Sequence, residues 1–169
     1  SKGGLFLVTG PTGAGKTTTL YSFLDWIKKN HMGNIVTLED PVERRLEGVR
    51  QSPLNGKVGY GFSEGLKAVL RQDPDVIMIG EIRDKQTAHI ALEAAYTGHL
   101  VLSSLHTGDV RSSLYRLQQF DLDPFLLLYS LRGILSQSLV PKECECCLTA
   151  TGGCERCHFT GVSGRTLNW

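Results

Sequence analysis

The chain has no cysteine before Cys144, and all five of its cysteines fall between Cys144 and Cys157. That excludes a disulfide framework spread through the fold and points to a local metal site in a reducing compartment. Charge of one sign is also lacking, since the formal net charge is +1. Nothing in that balance suggests a basic stripe for direct nucleic-acid contact or a polybasic membrane anchor. No apolar run approaches the roughly 20 residues needed to span a bilayer, so no direct membrane insertion is expected. No signal-peptide pattern opens the chain, and it holds neither internal repeats nor low-complexity tracts.

What is present is an ordinary apolar share, 41% of 169 residues, enough for one domain with a sizeable core and a small appendage. The segment Gly10-Pro11-Thr12-Gly13-Ala14-Gly15-Lys16-Thr17, with Thr18 next, reads G-x-x-x-x-G-K-T. This is the spacing of a phosphate-binding loop. Phosphate oxygens need several N–H donors converging from one side, and glycines allow the backbone to supply them. Lys16 adds a charge that reaches the β- and γ-phosphates, and the Thr17 hydroxyl suits Mg²⁺. The context fits: Leu5–Val8 reads as a buried strand, and Leu20, Phe23, Leu24 and Ile27 form the apolar face of a following helix.

Further along, apolar runs predict strands at 34–38, 76–79 and 100–102, alternating with helices. The alternation means an α/β fold with a largely parallel sheet. Residues 41–62 read as a long, partly extended loop. Ser63 is expected to cap a helix stopped before Pro74, Asp84 one running through Ala95, and Gly98 to close the latter. Helices are expected near 110–119 and over 124–138, the second on the strength of Phe125, Leu126, Leu128, Leu131, Ile134 and Leu135, with Pro141 ending it. Hydrolysis also needs acids near the phosphates. Glu81, after the strand at 76–79, and Glu39 and Asp40, after the strand at 34–38, stand at the carboxyl end of the sheet, where ligands of such folds bind. Glu43 lies just beyond.

Three segments together resemble the type II secretion and type IV pilus traffic ATPases. Leu70–Asp84 is similar to their signature segment, Thr37–Glu43 to their acidic box and Thr97–Thr107 to their histidine box. The resemblance covers residues 3–164. It implies a RecA-like P-loop ATPase core that works in a cytoplasmic hexamer, turns over ATP with Mg²⁺, and drives an integral inner-membrane platform protein in pilus or pseudopilus assembly, DNA uptake included. On that footing Gly10 to Thr18 bind nucleotide. Glu39 is the first candidate for polarising water and Glu81 for holding Mg²⁺ indirectly, with the identity of the base left open between them. His99 and His106 would sense the γ-phosphate, and Arg83 would tie the metal strand to the loop. The resembling proteins carry an amino-terminal domain with arginines for the nucleotide, so this chain by itself, with residues 1–140 as its ATPase core, is expected to bind nucleotide, hydrolyse it slowly and form no ring. Lys67 and Ser138 stand where that family has arginines.

Cys144-x-x-Cys147 and Cys154-x-x-Cys157 are spaced for one structural Zn²⁺, with Gly152 and Gly153 easing the turn between them and Cys146 as a fifth candidate ligand. The family's secretion branch has a four-cysteine element here, joined by a longer loop, which marks 141–165 as a small extension and leans towards assembly rather than retraction. Two other functions fit a phosphate loop: a nucleic-acid translocase or helicase, disfavoured by the near-neutral charge, and a non-hydrolysing scaffold, disfavoured by Glu39 and Glu81.

Overall fold

A computed structural model describes residues 3–54, 60–147 and 154–169. Strand β1 (Gly4–Thr9) leads through the glycine loop into helix α1 (Lys16–Asn30) and strand β2 (Ile35–Glu39). A short strand β3 (Arg50–Pro53), helix α2 (Phe62–Val69) and strand β4 (Val76–Ile79) follow. Then come helix α3 (Lys85–Tyr96), strand β5 (Leu100–Leu105), helices α4 (Val110–Gln119) and α5 (Pro124–Ser130), and strand β6 (Leu131–Ser136). Strands β7 (Ser138–Glu143) and β8 (Val162–Asn168) form a separate antiparallel pair.

The six core strands lie in the order β3-β2-β4-β5-β1-β6, and every pairing is parallel. Both faces of a parallel sheet are covered, so its central strands read as apolar runs. Strand β4 shows the alternation: Val76 and Met78 pack towards Leu20, Tyr21 and Leu24 of α1, while Ile77 and Ile79 join the opposite core with Leu66 of α2 and Leu92 of α3. Parallel strands all point their carboxyl ends one way, so the glycine loop after β1, Glu39 at the end of β2 and Glu81 after β4 emerge on one edge.

Asp84 caps α3 by accepting from the Thr87 N–H, and Gly98 turns the chain at φ 114°, as the sequence predicts. Three expectations are corrected. Helix α2 begins after Gly61, and Ser63 lies buried inside it, its hydroxyl without a partner among the described residues, not capping it. The helix expected over 124–138 stops at Ser130, and Leu131, Ile134 and Leu135 belong to β6 instead. Pairing with β1 at Leu5–Thr9 wins there, because β1 is almost wholly buried and its backbone groups need partners on both sides. Pro141 accordingly sits within β7, opposite Arg165. Strand β3, at one edge of the sheet, lies within what reads as loop, and the part of that loop at 55–59 lies outside the described residues.

Candidate nucleotide site and cysteine cluster

The loop between β1 and α1 turns on glycines with positive φ: 77° at Gly13 and 85° at Gly15. No neighbour crowds a Cβ built at Gly13, so there the backbone conformation alone requires glycine. Gly15 is the amino-terminal cap of α1, and no acidic side chain occupies the helix's first turn. That end is therefore left to an external anion. Lys16 folds back so that Nζ donates to the carbonyls of Gly10 (2.8 Å) and Pro11 (3.1 Å). Burial lowers its pKa, partly offset by the negative charge of Glu81. An ammonium desolvated in this way fits a polyphosphate ligand.

A cavity of about 520 Å³ opens over the loop, lined by Thr12 to Thr18, Glu39, Glu43, Glu81 and His106 among others. Gly10 and Pro11 do not line it; their carbonyls hold Lys16. Glu81 pairs with His106 (Oε2 to Nε2, 3.0 Å) and with Arg83, which also reaches Asp40 at 3.8 Å. Arg83 thus ties the ends of β4 and β2 together; among the described residues its guanidinium meets these acids and the Phe62 ring rather than the loop. Glu39 is 2% exposed and accepts hydrogen bonds from Tyr21, Thr37 and Gln51. Tyr21 is pushed up to about 12 by burial, reinforced by its bond to Glu39. Glu43, which the sequence reading gave no role, accepts from the Thr17 hydroxyl over 3.4 Å. Thr17, Glu43 and Glu81 are hard oxygen donors of the kind Mg²⁺ takes, and they line one cavity, so the donor set fits that ion.

His99 is the exception. It precedes β5, at the amino end of the sheet, whereas His106 follows that strand's carboxyl end. Its Nδ1 bonds the Ala94 carbonyl at 2.9 Å, and it lines a different cavity with Trp26 and His31. The expectation that it meets the γ-phosphate within this chain is corrected: a whole strand separates the two histidines.

In the hairpin, the sulfurs of Cys144, Cys147, Cys154 and Cys157 lie within 4.8 Å of one another. Three pairs stand 3.5 to 3.8 Å apart, close to the ~3.8 Å edge of a tetrahedron with Zn–S bonds of about 2.3 Å. The backbone N–H groups of Cys154 and Gly161 point at the Cys157 sulfur. These bonds, that of Cys154 foremost, pull its thiol down to about 6. Cys146, the fifth candidate, is exposed, beside Arg156 and outside the cluster. The donor set fits zinc. The expected turn at Gly152 and Gly153 lies outside the described residues.

The family described as Type II/IV secretion system protein matches residues 1–167. The chain belongs to that family. It is 47% identical over 184 residues to the type II secretion system protein E of Dickeya dadantii, covering 96% of this chain and 37% of that protein. It is 50% identical over 169 residues to the type II secretion system protein HxcR of Pseudomonas aeruginosa, covering 96% and 36%. Among solved structures, the pilus retraction motor PilT with bound ADP superposes with a TM-score of 0.78 at 37% identity, over 99% of this chain and 46% of that one. The chain therefore spans little more than a third of the length of these curated relatives. The RecA-like architecture and the resemblance read from the sequence are both confirmed by these similarities.

Proposed function

We propose that this secretion-family chain is the ATP-hydrolysing core of a motor that assembles a type IV pilus or a type II secretion pseudopilus, with DNA uptake within its range. The observation that carries this reading is the convergence of Lys16, Thr17, Glu39, Glu43 and Glu81 on one cavity at the carboxyl edge of the sheet. A scaffold that only bound nucleotide would need the lysine and the loop amides but not three carboxylates. The amides and side chains of residues 10–18 hold the phosphates, with Thr17 and Glu81 towards Mg²⁺. That ion, when bound, neutralises charge on the phosphate oxygens.

Two glutamates compete for the attacking water. Glu39 already receives three hydrogen bonds on its two oxygens, whereas Glu43 receives one weak bond from Thr17. We therefore assign the proton-accepting role to Glu43 and give Glu39 that of a fixed negative charge in the wall. His106, through its bond to Glu81, reports on the terminal phosphate. Residues 1–140 act as the ATPase core and 141–165 as its zinc-bearing extension, the division falling inside β7. The working form is a cytoplasmic hexamer coupled to an inner-membrane platform protein; among the described residues no helix is long and apolar enough to cross a membrane.

Phosphate release from MgATP tests this. The protein is expected to turn over ATP slowly by itself. Lys16→Ala and Glu43→Gln should abolish that activity, the second while still binding nucleotide. Turnover at the parent rate in Lys16→Ala would overturn the reading. Parent-rate turnover in Glu43→Gln with loss in Glu39→Gln would return the base to Glu39.

A further inference from the structure

Gln137 joins the last strand of the core to the first strand of the hairpin, and it is 2% exposed. Its groups engage the end of β1 and the phosphate loop at three points. The backbone N–H donates to the Thr9 carbonyl over 2.9 Å. The backbone carbonyl presses against Gly10, where an added Cβ would overlap it. The side-chain Nε2 donates to the Ala14 carbonyl over 2.6 Å. The side-chain Oε1 is buried and has no partner among the described residues.

An apolar side chain of similar length would fill this space without stranding an oxygen. It would leave the Ala14 carbonyl without its donor. A loop that holds phosphate must turn its N–H groups towards the ligand and its carbonyls away. The peptide joining Ala14 to Gly15 is a rigid trans plane, so its C=O and N–H point in opposite directions. Drawing the Ala14 carbonyl towards Gln137 therefore turns the Gly15 N–H away from Gln137. Gly15, at φ 85°, has a free choice of peptide orientation that few other residues share, so something outside the loop must fix it.

We propose that Gln137 is a positioning residue whose amide donor locks the Ala14–Gly15 peptide, so that the Gly15 N–H faces a bound phosphate. This rests on the nucleotide-binding reading above and deepens it. The test is titration calorimetry of the parent and of Gln137→Met with MgADP and with inorganic pyrophosphate, alongside thermal midpoints and zinc content. Loss of one hydrogen-bond constraint on the phosphate cradle is expected to weaken both ligands about tenfold, with folding and zinc retained. A merely structural glutamine would lower the midpoint and leave the affinity of the folded protein unchanged. Equal affinity for both ligands in a folded Gln137→Met overturns the inference. A second measurement needs no variant: the Gly15 amide resonance of the parent should move strongly on adding pyrophosphate, and an unmoved resonance in a protein that binds overturns the inference as well. A parent that binds neither ligand defeats the nucleotide-binding reading itself, and is told apart by that result.

Discussion

Glu39 keeps a carboxylate almost out of water because Tyr21, Thr37 and Gln51 all donate to it. A buried charge costs several kcal/mol unless so satisfied, and bonds to charged groups contribute about 1.5–3 kcal/mol each. Tyr21→Phe should therefore destabilise the fold by roughly 2 kcal/mol at neutral pH, as urea unfolding would show. The pH dependence has a definite sign. With the Tyr21 phenol raised from 10.0 to about 12 in the folded state, its contribution is complete below pH 10 and lost as pH rises through 12. The stability gap between parent and Tyr21→Phe should close over that window. A gap that stays constant from pH 8 to about 12 would contradict the assignment. Lys16 and Thr17 were legible at this scale because a motif fixes their spacing, and Glu81 because it follows an apolar strand run. The contacts of Glu43 with Thr17 and of Gln137 with Ala14 were not. The second spans 123 positions along the chain, and only the closed sheet brings its ends together.

At the scale of elements, strands with apolar runs and helices with clear caps were readable, and β6 was not. Leu131, Ile134 and Leu135 fit a helix continuing from Phe125, yet Leu131, Gly133 and Leu135 fit a strand equally well. A short apolar run cannot separate the two periods. The need to pair the exposed edge of β1 decides it, and Gly133 lets the strand lie close to the Phe6 ring. Strand β3, Arg-Gln-Ser-Pro, carries no apolar residue, and its proline fits only because it is an edge strand. The cysteine pairs were legible from spacing alone, while the exclusion of Cys146 needed coordinates. Metal analysis of purified protein should find roughly one zinc per chain, retained in Cys146→Ser and lost in Cys147→Ser. Because thiolates bind the metal, zinc should also dissociate progressively on acidification. Zinc retained in Cys147→Ser would contradict the ligand set. Loss of the metal is expected to disorder the hairpin while far-UV dichroism of the sheet and helices persists, since among the described residues β7 and β8 pair only with each other.

Viewed as a whole molecule, the chain separates a rigid parallel sheet from the chemistry at one edge of it. The loop, the acids after β2 and β4, and His106 after β5 belong to four strands that share a direction, so one cavity receives them all. The near-zero net charge leaves local fields, not a global one, to attract the ligand. The account stands on that cavity accepting a triphosphate with magnesium. Calorimetric titration of the folded protein with MgATP tests it most directly. The account predicts saturable binding at one site, weakened roughly ten- to a hundredfold in Lys16→Ala, where a charged donor to the phosphates is gone. A folded protein that shows no MgATP binding, or one whose affinity is untouched by Lys16→Ala, would contradict it.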